Sequence, residues 1–186
     1  MANRAYLYTA NKDFTKIRDV SEFPTNIPFQ YEILLGVNTK QEMSRIWGNN
    51  TPIAISGDFK LGLEKFMNFY EYLQTQENLD KNMLKEAVKK TLDFFEKYPE
   101  KNSDLFFMEA GEIYDLIPEF ELDYSNNIIY NKILKISADI DEILRNKPKN
   151  LFSLTDKYAW LEPIRLDDDL LQVYWRRITY LSFNES

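Results

Sequence analysis

The side chains able to move a proton in this sequence are carboxylates, lysines and tyrosines. Thirty aspartates and glutamates accompany 23 lysines and arginines, and the chain has no histidine and no cysteine. Without imidazole there is no Ser-His-Asp triad and no histidine general base; without thiol there is no thiolate nucleophile and no thiolate-bound zinc. Acid/base chemistry falls to aspartate, glutamate, lysine and tyrosine. A glycosidase-like pair needs two carboxyl groups about 5 to 10 Å apart in a cleft, and Asp58, Glu109 and Glu112 are the first candidates for it. Glu109 and Glu112 lie three apart, as do Glu112 and Asp115, a spacing that puts all three on one face if the segment is helical. The other reading of that face is a solvated acidic stripe. Asp139, Asp141 and Glu142 turn away from an isoleucine face and suit solvent. Asp167, Asp168 and Asp169 offer oxygen ligands for Mg²⁺ or Ca²⁺, but three adjacent residues seldom converge on one ion, and helix capping explains them better.

The five glycines, at 36, 48, 57, 62 and 111, match neither a phosphate-binding loop nor a dinucleotide fingerprint. The turn Ser56 to Gly62 lacks the Gly-Lys-Ser/Thr ending that cradles phosphates. No cofactor and no metal is expected. Near the C-terminus, Tyr174, Trp175, Arg176, Arg177 and Tyr180 have the composition of an interface hot spot. They also suit an amphipathic helix, on which Trp175, Arg176 and Tyr180 can form a two-fold homodimer contact.

Charge is unevenly spread. Residues 103 to 142 carry ten acids and two bases, a net −8 within a chain whose total is −7. Such a surface disfavours DNA or RNA, whose affinity comes from lysine and arginine on phosphates. It suits a basic protein, for which complementary charge raises association rate and selectivity. No run approaches the roughly 20 apolar residues of a membrane span, and the opening residues meet polar Thr9, Asn11, Lys12 and Asp13 before a secretion signal can form. With no cysteine to form disulfides, a cytoplasmic location is expected.

These features need a scaffold. A length of 186 residues, 44% hydrophobic and 15% aromatic, predicts one domain over 1–186 with a sizeable core. Residues 4 to 9 and 52 to 59 read as strands. Pro28 opens a short helix through Leu35. Thr39 followed by Glu42 has capping-box spacing and predicts a second short helix up to Gly48. Apolar recurrence at Leu63, Phe66, Met67, Tyr70 and Leu73 predicts a helix over about 60–75. Leu84, Val88, Leu92, Phe95 and Tyr98 form the stripe of another, capped by Asp80 and ended by Pro99. Residues 104 to 110 are ambiguous between strand and helix, with a helix expected over about 110–117 up to Pro118. Isoleucines 129, 133, 136, 140 and 143 mark a long helix from Ser125 to Asn146, and Leu170, Leu171, Tyr174, Ile178 and Leu181 mark a last one. The expected fold is α+β but mainly α, with four or more amphipathic helices on a small sheet made by the N-terminal strand and residues 52 to 59.

The opening Met1-Ala2-Asn3-Arg4-Ala5-Tyr6-Leu7-Tyr8, the Ile27-Pro28-Phe29 segment entering Leu34-Leu35, the Gly57-Asp58-Phe59 turn and the ending Tyr174-Trp175-Arg176-Arg177 to Ser182-Phe183 together resemble a family of uncharacterised bacterial proteins. By size and acidity the chain also looks similar to bacterial immunity proteins that neutralise toxins. Neither resemblance brings catalytic residues with it. The function expected is a non-enzymatic, acidic protein-binding module contacting a basic partner through Glu109, Glu112, Asp115, Trp175, Arg176 and Tyr180. A carboxylate-based hydrolase or small-molecule binder, and a structural homodimer subunit, are the alternatives.

Overall fold

The computed structural model describes residues 3–47, 52–116, 121–166 and 174–183. Five antiparallel strands form one sheet: β1 (Arg4–Ala10), β2 (Ile17–Pro24), β3 (Lys40–Met43), β4 (Pro52–Asp58) and β5 (Leu105–Glu109), in the order β2-β1-β5-β4-β3. Helices α1 (Phe29–Leu34), α2 (Phe59–Leu73), α3 (Lys81–Lys97), α4 (Gly111–Tyr114), α5 (Leu122–Asn146) and α6 (Leu161–Leu166), with short 3-10 turns at Pro99–Lys101 and Leu151–Leu154, complete the described elements. Among the described residues no helix is long and apolar enough to cross a membrane.

The class is α+β, and the sheet overturns the expectation of a mainly helical domain on a small two-stranded sheet. Of the three further strands, β2 has no counterpart in the sequence reading, β3 replaces the short helix expected up to Gly48, and β5 settles the open choice over 104–110 as strand. Residues 40–43 are a strand because both capping-box residues have other partners: Thr39 Oγ1 donates to the Leu35 carbonyl at 2.7 Å, and Glu42 Oε1 accepts from Ser56 Oγ of β4 at 2.8 Å. Leu105–Glu109 is the central strand, with β1 and β4 on its two sides. Consequently Glu109, Glu112 and Asp115 do not share a helical face; they fall on a strand end, in a four-residue helix and at its C-cap.

Alternation along the strands sends side chains to two covered faces. Ala5, Leu7, Ile55, Phe106 and Met108 meet the helices in the main core, with Phe66, Phe69, Tyr70 and Ile136. Tyr6, Tyr8, Ala54 and Phe107 face the other way, where Phe14, Ile46, Leu181 and Phe183 cover them. With both faces buried, the strands read as unbroken apolar runs, which hides their period.

Local signals set the long helices. Asp58 Oδ1 accepts Leu61 N at 2.9 Å to start α2, and Asp80 Oδ1 accepts Asn82 N at 2.8 Å and Met83 N at 3.1 Å to start α3. The α3 stripe is rotated from its expected face: Leu84, Ala87, Thr91, Phe94 and Phe95 are buried while Leu92 is 40% exposed. Trp175 causes this, stacking on Phe94 with ring centroids 5.5 Å apart and donating its Nε1 hydrogen to Thr91 Oγ1 at 2.9 Å. Residues 174–183 are therefore not the helix expected there. Arg176 N donates to the Val20 carbonyl at 2.8 Å beside β2, and Trp175 bridges Ser21. The proposed capping acids Asp167 to Asp169, and Gly48, Ile117 and Pro118, lie outside the described residues.

Two glycines fix how α1 meets the β4–α2 corner. A Cβ at Gly57 would stand 2.5 Å from the Leu35 carbonyl oxygen, and one at Gly62 would stand 2.0 Å from that of Leu34. In an open helix, Gly62→Ala adds up to about 1 kcal/mol of stability through propensity. Here overlap with a backbone atom exceeds that gain, overpacking costing about 1–3 kcal/mol even against side chains. We expect Gly62→Ala to lower the free energy of unfolding in urea; a stabilised variant would show that the approach is not tight.

Candidate functional site

Buried carboxylates on the sheet's outer face hold backbone in place. Glu109 is fully buried at the end of β5, opposite Tyr6 and Ala54. Its Oε2 accepts from Ser44 Oγ at 2.8 Å and its Oε1 from Arg45 N at 2.5 Å, pinning the segment after β3. Burial pushes the Glu109 carboxyl up to about 7, and these donors only partly offset it. Glu112 accepts Arg4 N at 2.9 Å and Tyr6 Oη at 3.1 Å, clamping the start of β1. Asp58, the third member of the expected acid trio, caps α2 instead.

The C-terminal candidates are also engaged internally. Arg176 pairs with Glu22 at 3.1 Å, and the Arg4 guanidinium lies 5.0 Å over the Tyr180 ring. Glu22 Oε2 accepts Tyr180 N at 2.7 Å and Asp19 Oδ2 accepts Thr179 N at 3.1 Å. The segment is thus a strap laid over β1 and β2. Trp175, Arg176 and Tyr180 all belong to it.

Not every acid of the segment 103 to 142 faces a cation; exposed Asp104, for one, accepts the Lys12 backbone N–H at 3.1 Å. Asp139 pairs with Lys135, Asp141 with Lys65 and Glu142 with Lys157, at 2.6, 2.8 and 2.6 Å. Asp115, Glu121 and Asp123 have no lysine or arginine partner among the described residues. They flank Leu116, Tyr124 and Ile128, which are 51%, 52% and 46% exposed. Tyr114 Oη donates to Asn126 Oδ1 at 2.9 Å, tying α4 to the first turns of α5.

Beside this surface, α1, α4, α5 and α6 line a half-open pocket of about 390 Å³. Its walls include Ile27, Phe29, Ile113, Ile129 and Trp160, with Phe29 and Trp160 stacked at 5.3 Å. Glu32 lines it too, 1% exposed, and its Oε1 accepts from Lys132 Nζ at 2.6 Å. Burial raises the Glu32 carboxyl and the Lys132 ammonium opposes that rise. Sequence reasoning missed this pair. The legible signal was one glutamate inside a short helix, Phe-Gln-Tyr-Glu-Ile-Leu, whose six residues are all buried.

Because the folded-state pKa of Glu109 is raised, its contribution to stability is full below the ordinary value of 4.5 and is lost as pH rises through about 7. Glu109→Gln, which cannot ionise, should flatten that part of the stability-versus-pH curve, removing a slope that integrates to on the order of 3 kcal/mol. Urea unfolding from pH 4 to 8 measures it, and curves of equal shape for the two proteins would refute the assignment. No curated protein and no solved structure matches the chain. Residues 5–149 match the family described as a domain of unknown function, DUF7822. Since that match spans well over half of the chain, the protein belongs to the DUF7822 family.

Proposed function

We propose that this chain is a non-enzymatic protein-binding module, and that the surface made by α4 and the start of α5 engages a basic partner. The observation that carries the reading is the contrast among its acids. Asp139, Asp141 and Glu142 of the acidic segment pair with lysines and Glu109 is buried, whereas Asp115, Glu121 and Asp123 have no lysine or arginine partner among the described residues and lie near Leu116, Tyr124 and Ile128 in the chain. An apolar centre with a charged rim is how protein interfaces are built. Of the six residues first considered for a partner, Asp115 lies on this surface. Glu109 holds the segment after β3, Glu112 holds the start of β1, and Trp175, Arg176 and Tyr180 belong to the strap.

A neutraliser of a basic toxin, working in the cytoplasm as an immunity protein does, is the specific form of this reading. Its support is the localised negative charge together with a chain lacking histidine and cysteine. The hydrolase alternative gains nothing from the geometry, because Asp58, Glu109 and Glu112 perform three separate structural tasks.

The test uses the full chain as bait in its native host, beside a variant carrying Asp115→Lys, Glu121→Lys and Asp123→Lys and a control carrying Lys85→Glu and Lys89→Glu on α3. A basic protein should be retained by the wild type and the control, with affinity for the reversed variant at least about tenfold weaker. Equal retention by all three baits would overturn the reading. Light scattering at twice the 22.2 kDa chain mass, abolished by the same reversal, would instead assign this surface to a second copy of the chain.

A further inference from the structure

We infer that the cavity between α1, α4, α5 and α6 binds a free α-amino acid with a large apolar side chain. The site uses none of the residues assigned to the neighbouring docking surface, and its failure would leave that reading untouched. Its volume of about 390 Å³ falls in the range of small-molecule pockets, about 300–1,000 Å³, and its make-up is theirs: mostly apolar walls with few polar groups. Ile27, Ile113, Ile129 and the stacked Phe29 and Trp160 offer an apolar side chain a place to bury.

The charges select the ligand class. Glu32 is a buried carboxylate whose one partner among the described residues is Lys132, and the Lys132 side chain is 50% exposed, reaching in from the rim. A cation alone would bind Glu32 against repulsion from the lysine. An anion alone would bind Lys132 against repulsion from the carboxylate. A zwitterion satisfies both, its ammonium donating to Glu32 and its carboxylate accepting from the ammonium hydrogens that Lys132 turns to the rim. The pair is also a poor choice for stability alone, since a buried ion pair is commonly no better than apolar residues of similar size. An apolar residue at position 32 would simply extend the surrounding wall.

The test is calorimetric titration and thermal unfolding of the full chain with L-phenylalanine and L-leucine at about 10 mM, where binding to the folded state alone raises the midpoint. N-acetyl-L-phenylalanine and L-phenylalaninamide, each lacking one charge, are the comparison ligands. The amino acids should raise the unfolding midpoint, and each analogue should bind at least about tenfold more weakly, the loss expected for a hydrogen bond to a charged group. Lys132→Ala replaces a half-exposed side chain and leaves the core intact; in it, the preference for phenylalanine over phenylalaninamide should vanish. Glu32→Gln should likewise lose the preference over the N-acetyl compound. Absence of any midpoint shift with the amino acids, analogues that bind as tightly as they do, or an unchanged preference in Lys132→Ala would each overturn the assignment.

Discussion

Everything at the ligand-facing end of the molecule depends on how closely α1 lies against its neighbours. Gly57 and Gly62 let the Leu34 and Leu35 carbonyls approach the β4–α2 corner to distances no side chain allows. From the other side, Ser137 of α5 donates its hydroxyl hydrogen to the Gly36 carbonyl, and Lys65 of α2 reaches Ser137 Oγ at 2.6 Å. Sheet, α2 and α5 therefore grip one short helix. That helix delivers Phe29 and Glu32 to the cavity wall, so a shift of α1 by even one ångström would move both the aromatic stack and the carboxylate.

The acids divide into two populations with different work. Asp19, Glu22, Glu109 and Glu112 are tucked against the sheet, where each accepts backbone N–H hydrogens from a segment distant in sequence. They act as pins for irregular chain, which has no ladder of its own to satisfy its donors. The second population lies outward, much of it balanced by lysines. A net charge of −7 thus says little about which surface a partner would sense. The position of the uncompensated acids says more, and that is a property of the fold.

The long helices were legible because their signals are local. Periodicity, with Asp80 as a cap and Pro99 as a stop, places α2, α3 and α5 within a few residues of their bounds, although the α3 stripe is rotated. What could not be read depended on partners far along the chain. Thr39 and Glu42 look like a capping box until Leu35 and Ser56 claim their side chains. Residues 105–109 are apolar on both sides because both faces of the sheet are covered, which removes the alternation that marks a strand. Tyr174, Ile178 and Leu181 fit a helical stripe, yet Asp19 and Glu22 draw that segment out flat. The site suffered likewise: Glu109 gives no sign in sequence that it will be enclosed, whereas Glu32 stood out among apolar neighbours and went unread.

The strap over β1 and β2 has a consequence for how the chain is made. Asp19 takes its donor from Thr179, 160 residues later, and Glu22 from Tyr180, 158 residues later. During synthesis the N-terminal hairpin emerges early with two carboxylates and the Tyr6–Tyr8 face still open to water. Pairing over such separations is slow, because the loop must be closed before any contact rewards it. β1 and β2 are therefore among the last strands to be finished, and until residues 176–182 leave the ribosome the nascent protein displays an aromatic, strand-edged surface that a chaperone can recognise.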